Sequence, residues 1–166
     1  KCRPKSAEMK QFIGLLKKYK PKYEESLPAT YIKSDWWKDY AKKDYNYYSY
    51  YLVFQEIAPV LGKLGDPKAI PTLIDLLGYR GGASYRVLEV TRDALAKFGK
   101  TAAPQLIKAL SHKNQDIRSG SAITLGNILR DIRAPQATEP LVKLLTDFSA
   151  SVRYAAAQAL LNIQDP

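Results

Sequence analysis

Few side chains in this 166-residue sequence could carry out catalysis. His112 lies in a predicted turn over residues 111–114 with no acid or nucleophile beside it, so we interpret it as a loop histidine. Asp35 and Asp39 are spaced i, i+4 and could act as a carboxylate pair, but the interleaved lysines favour ordinary surface ion pairs. We therefore expect no catalytic residues and no enzymatic activity.

Sequence motifs for cofactors and metals are also missing. Gly78, Gly81 and Gly82 have neither the Lys-Ser/Thr of a phosphate-binding loop nor the Gly-x-Gly-x-x-Gly spacing of a dinucleotide site. The chain has one cysteine, Cys2, and one histidine. This excludes a Cys/His zinc cluster and an intrachain disulfide. We expect no cofactor.

The cellular compartment stays open. Lys1 in place of Met indicates a processed or trimmed chain. A lipid anchor at Cys2 is a disfavoured alternative, because Lys1 stands where a lipoprotein signal has a small residue. A disulfide-free helical repeat suits the cytoplasm, which is favoured, or the periplasm. The sequence has no apolar run of the ~18 residues that a membrane helix needs, so no membrane span is expected.

The N-terminal third has the composition of a binding segment. Nine of the 12 tyrosines lie before residue 52, together with both tryptophans, and lysines are interleaved with them. Aromatic rings beside cations bind single-stranded nucleic acid, and aromatics also anchor protein interfaces. Equally, Tyr and Trp suit an end unit that covers an apolar edge while keeping polar atoms in water. The candidate binding residues here are Trp36, Trp37, Tyr47 and Tyr48.

Positive charge is concentrated in the same region. The net charge is +10, and residues 1–50 contain 12 Lys and Arg against 6 Asp and Glu, whereas residues 51–166 contain 14 against 10. A basic surface attracts nucleic acid, anionic lipid or an acidic protein, and charge alone does not choose among them.

An internal repeat begins near residue 46. Apolar residues open four helix faces, and leucines follow each of them by eight residues: Val53, Val87, Ile117 and Val152, then Leu61, Leu95, Leu125 and Leu160. A spacing of eight lies on one face of an α-helix. These long helices are predicted to bury the leucines at equivalent positions.

A shorter apolar pattern lies between the long helices. Its first leucines, predicted to be buried, are Leu73, Leu106 and Leu141. Prolines are predicted to mark the starts of these short helices, with Pro59 as an interior exception that should kink its helix. Predicted N-caps of helices are Asp66, Thr101, Asn114 and Ser149.

Paired helices repeating every ~35 residues predict an all-α solenoid over residues 46–166, because each hairpin must stack on its neighbours to bury its apolar face. Residues 1–45 are predicted to form an aromatic-rich, basic helical cap of the same continuous domain. The last helix leaves an apolar edge, which further repeats or a partner would cover.

The segments at residues 64–74 and 151–160, together with Asp116-Ile117-Arg118, resemble HEAT repeats, most closely the bacterial phycobilisome-lyase-type subtype. The resemblance implies an α-solenoid. It also implies a protein-binding scaffold, since few such repeats are enzymes.

Our leading hypothesis is a scaffold that binds an acidic or mixed-charge protein through the groove of the long helices. Its candidate contacts there are Arg86, Arg92, Arg118 and Arg153. For Arg118 and Arg153, which are equivalent, the resemblance offers a second interpretation: a ladder to Asp side chains and backbone carbonyls that joins repeats. Alternative functions are nucleic-acid binding through the N-terminal third and bilin-lyase-like chromophore handling.

Overall fold

The computed structural model of the chain describes residues 58–78, 84–130 and 135–163. The predicted cap, its boundary at residue 45 and the candidates Trp36, Trp37, Tyr47 and Tyr48 lie outside these residues and stay predictions. The kink predicted at Pro59 also stays a prediction, because the chain before Ala58 lies outside the described residues.

Seven α-helices and two short 3-10 turns make up most of the described residues, among which there is no β-strand. The 3-10 turns are Pro67–Ala69 and Gly99–Thr101. The helices, in chain order, are α1 (residues 58–64), α2 (Ile70–Leu76), α3 (Ser84–Lys97), α4 (Ala103–Ala109), α5 (Gln115–Ile128), α6 (Pro135–Leu144) and α7 (Ala150–Ile163). The predicted all-α fold is confirmed.

Prolines mark most of the short helices' starts. Pro71 and Pro104 lie in the first two positions of α2 and α4, where a missing N–H breaks no hydrogen bond. Helix α6 begins at Pro135, but Pro140 lies inside it, so the prediction of a helix-start proline is wrong there. Pro140 has no N–H to donate to the carbonyl four residues earlier, which belongs to Gln136, an exposed residue near the start of the helix.

Two of the predicted N-caps are confirmed. Asp66 and Asn114 each accept a hydrogen bond of 2.9 Å from the backbone N–H two residues later. Thr101 does not cap α4, because it belongs to the preceding 3-10 turn and Ala102 stands before the helix without a side-chain cap. Ser149 directly precedes α7, and its hydroxyl lies 2.9 Å from that of Ser151.

Each short helix packs against the long helix that follows it, α2 on α3, α4 on α5 and α6 on α7. Neighbouring hairpins join through their long helices, since α5 packs against both α3 and α7. Short helices α2 and α4 also meet. The described residues therefore form the predicted stack of helical hairpins.

Leucines fill the layers of this stack. In the short helices, the three leucines predicted to be buried are completely inaccessible to water: Leu73, Leu106 and Leu141. In the long helices, Leu95 and Leu125 are also completely inaccessible, and Leu61 is 1% exposed. Burying each contributes about 1.5–3 kcal/mol. Leu160 is only half-buried, which corrects its assignment to the core. Among the described helices none stacks beyond α7, so one side of Leu160 stays open.

One buried hydroxyl in α5 gives a test of the packing. Ser121 is fully buried and has no hydrogen-bond partner among the described residues. Ser121→Ala should raise the free energy of unfolding by about 0.5–1.5 kcal/mol, because it removes an unsatisfied polar group and adds helix propensity. Urea unfolding would measure this change. Ser119→Ala is the matched control and should gain less, since the Ser119 hydroxyl donates to the Asp116 carbonyl; a destabilised Ser121→Ala would contradict the prediction.

Candidate functional site

Arg118, in the first turn of α5, is anchored to its own hairpin through backbone carbonyls. Its Nη1 donates to the carbonyl oxygens of His112 at 2.8 Å and Lys113 at 3.1 Å, in the turn between α4 and α5. The residue is 5% exposed. The turn itself is closed by the Asn114 N–H, which donates to Nδ1 of His112.

The other edge of the same guanidinium binds the following hairpin. Nε donates to Asp147 Oδ2 at 2.8 Å and Nη2 to Oδ1 at 3.0 Å, a paired arrangement that is stronger and more directional than a single contact. Asp147 Oδ1 also accepts the Ser149 N–H, and the Phe148 ring lies 4.9 Å from the Arg118 guanidinium carbon. Arg118 therefore joins α5 to the turn that precedes α7.

This geometry is that of an inter-repeat ladder, the second interpretation of Arg118. Asp147 itself was not among the candidate residues, because the equivalent position one repeat earlier is His112 and no acidic residue recurs there. Sequence alone offered one signal for it, the aspartate–arginine ladder that the resemblance to HEAT repeats implies.

Arg153, the equivalent residue of α7, repeats half of this arrangement. Its Nη1 donates to the carbonyl oxygens of Asp147 at 2.8 Å and Phe148 at 3.2 Å. These acceptors stand six and five residues before it, as His112 and Lys113 stand before Arg118. Unlike Arg118, however, Arg153 is exposed.

The last described hairpin exposes three apolar side chains, Val142, Leu145 and Leu161, which we call the C-terminal face. They are 48%, 39% and 73% exposed. In the earlier hairpins, Leu77 and Leu110 occupy the position of Leu145 and are buried. Leu77 lies against Gly120 of the long helix α5, in the hairpin that follows it. The C-terminal face therefore exposes positions that a neighbouring hairpin covers elsewhere.

The remaining candidates are more scattered. Arg86, near the start of α3, is exposed and has an interaction partner, and Arg92 on the same helix is half-buried. Neither is equivalent to Arg118, because the corresponding residue of α3 is Leu88. The structure thus joins Arg118 to the Asp147 turn, which Arg153 also contacts, and leaves Arg86 and Arg92 apart from this cluster.

In the described part of the chain, no group of three or more His, Cys, Asp or Glu side chains is placed to hold a metal ion. No described helix is long and apolar enough to cross a membrane.

The ladder should make stability depend on pH. The hydrogen bonds from Arg118 hold the pKa of Asp147 below its usual value against the opposing effect of burial, helped by the Ser149 N–H and by the charges of Arg118 and Arg153. A lowered folded-state pKa stabilises the fold above the unfolded-state pKa of about 3.9, and this contribution disappears as pH falls through the folded-state value.

The stability difference between wild type and Asp147→Asn should therefore be full at neutral pH and shrink below about pH 4. Urea unfolding of both proteins from pH 7 to pH 2.5 would measure it. Glu139, whose pKa is lowered by Lys143, is present in both proteins and cancels in the comparison. A difference that stays constant across this range would show that the Asp147 charge contributes nothing.

Comparison with known proteins agrees with the repeat geometry. A family profile described as HEAT repeats matches residues 80–161. A profile described as PBS lyase HEAT-like repeat matches residues 53–79. No curated protein sequence matches the chain. The two profiles meet without a gap and cover the hairpins described above, so the chain belongs to the HEAT-repeat family.

Proposed function

We propose that the chain is a non-catalytic protein-binding scaffold, a component of a larger assembly. HEAT repeats generally mediate protein interactions, and the matched profiles place the chain among them. The single observation that carries the proposal is the C-terminal face, where Val142 and Leu145 expose positions that are more deeply buried in the preceding hairpins.

The partner's chemistry follows from the charge. With a net charge of +10, the protein favours an acidic or mixed-charge partner. Arg153, exposed in the same hairpin as the C-terminal face, is the candidate contact with the clearest geometry, and Arg86 and Arg92 are further candidates on α3. Arg118 contributes indirectly by holding the last two described hairpins together.

Affinity purification of the full chain from its native cells, after chemical cross-linking, tests the proposal. We expect a protein partner that co-purifies reproducibly and survives nuclease treatment. The double variant Val142→Asp/Leu161→Asp should lose it, because two charges on an apolar interface must be desolvated. Both side chains are exposed, so the fold should tolerate the substitutions.

The matched control is Tyr85→Asp, which places a charge at another exposed apolar side chain, on α3, and should retain the partner. Co-purified nucleic acid, with affinity that falls steeply as salt rises, would contradict the scaffold and support the basic N-terminal third as a nucleic-acid site. A coloured co-purified compound would instead support chromophore handling, the function that the phycobilisome-lyase-type profile suggests.

A further inference from the structure

Within the array, one hairpin recognises the next through a carboxylate just before a helix. Asp147 lies three residues ahead of the first residue of α7, and its Oδ1 accepts the Ser149 N–H. Both of its oxygens receive N–H groups from Arg118, while Phe148 lies over the guanidinium. The recognised unit is an aspartate turn, Asp-x-Ser, at the start of a helix.

Arg153, in the last described hairpin, holds its guanidinium as Arg118 does. Its Nη1 holds two carbonyl oxygens at 2.8 and 3.2 Å, against 2.8 and 3.1 Å for Arg118. The same Nη1 anchoring holds both guanidinium groups to their own turns, and in Arg118 it leaves Nε and Nη2 to the following hairpin. Among the described residues, no acceptor lies against Nε or Nη2 of Arg153.

Apolar residues of the same hairpin occupy positions that receive a helix elsewhere in the array. Leu77, which is equivalent to Leu145, packs against the long helix of the following hairpin at Gly120. A helix that brought a carboxylate to Arg153 would lie against Leu145 and Val142 in the same way. The last described hairpin thus offers two N–H donors, on Nε and Nη2 of Arg153, together with the exposed apolar side chains of Leu145 and Val142.

Leu161 distinguishes this surface from the contact between α5 and α7. At the equivalent Gly126, an added Cβ would lie 2.7 Å from the Cα of Ala159, so those two helices approach closely. In α7 that position holds the leucine side chain of Leu161, which is exposed. A helix that approached α7 as closely as α7 approaches α5 would therefore meet the Leu161 side chain.

We infer that the C-terminal face binds the start of an α-helix of a partner protein, in which an aspartate just before the first turn accepts hydrogen bonds from Nε and Nη2 of Arg153. The inference rests on the proposed scaffold function and specifies the partner's chemistry. Charge complementarity and the Arg118–Asp147 contact within the chain both support a helix preceded by an aspartate turn as the occupant.

A peptide that carries the aspartate turn tests this inference. The probe is a helix-stabilised, fluorescent peptide with the chain's own sequence over residues 145–163, titrated with the full chain. We expect saturable binding that weakens about tenfold or more with Arg153→Gln in the protein, or with Asp147→Asn in the peptide, since each change removes the charged pair. The two changes together should weaken binding little further, because they remove the same contact.

The control is Lys97→Gln, which removes an exposed cation on α3 and should change the affinity by less than about twofold. The Asp147→Asn peptide is titrated with the wild-type protein, so it tests the contact even if the Arg153→Gln protein misfolds. Absence of saturable binding, or independent and additive effects of the two changes, would overturn the inference.

The outcomes also separate this inference from the proposed function. If the native partner requires Val142 and Leu161 while the peptide fails, the scaffold function stands and the helix-start inference falls. If Arg153→Gln in the protein and Asp147→Asn in the peptide weaken binding non-additively, as expected, but no native protein partner exists, the scaffold function falls and the binding chemistry of Arg153 stands.

Discussion

Leu125→Ala is expected to lower the free energy of unfolding by about 2–5 kcal/mol, the range for large-to-small changes in a packed core. Leu125 is completely buried in α5, which packs against α2, α3, α4 and α7. Because α5 lies between two neighbouring hairpins, a cavity there removes contacts on both sides. The loss should appear as a lower urea midpoint followed by circular dichroism.

Leu161→Ala is the matched control, since Leu161 lies on α7 but is 73% exposed. It should change the free energy of unfolding by about 0.5 kcal/mol or less. If Leu125→Ala also stays within about 0.5 kcal/mol of wild type, the assigned helical register is wrong.

The second large effect is expected from Arg118→Leu, at about 3 kcal/mol of lost stability. This is the lower end of the range for removing one partner of a buried ion pair, because the Asp147 side chain keeps 9% of its surface in water. Leucine is chosen because Leu88 occupies the equivalent position in α3. The variant leaves a largely buried carboxylate and two carbonyl oxygens without their donor.

The double variant Arg118→Leu/Asp147→Asn should recover part of the loss, because the second change removes the unpaired charge. As a control, Lys143→Gln breaks the solvent-exposed Lys143–Glu139 pair and should leave the unfolding midpoint unchanged. An Arg118→Leu protein that unfolds like wild type but loses its partner would contradict the ladder and make Arg118 a recognition residue.

Local sequence determined the helices and most of the core. The eight-residue spacing placed Leu95 on the same helix face as Val87, and Leu125 on the same face of its own helix as Ile117. The structure buries both leucines. Such predictions succeed because helical periodicity and capping act over a few residues. The failure at Pro140 has the same origin, since the preference of proline for a helix start is a local rule and does not fix the residue at which the helix begins.

Contacts across hairpins were decided by the tertiary structure. Arg118 and Asp147 are 29 residues apart, and the position of Asp147 carries no acidic residue in the preceding repeat. Nothing in the local pattern of either residue required them to meet. Stacking of α7 on α5 brings the two together.

The C-terminal face shows most clearly which properties the local sequence determines and which the tertiary structure decides. Leu77 and Leu145 have the same place in the same apolar pattern, so sequence periodicity assigns both to a helix face directed at a neighbour. Leu77 is buried because Gly120 of the next hairpin lies against it, whereas Leu145 is 39% exposed. Periodicity determines the side of a helix on which a residue lies; burial depends on whether another layer covers that side, which only the stacking of the helices decides.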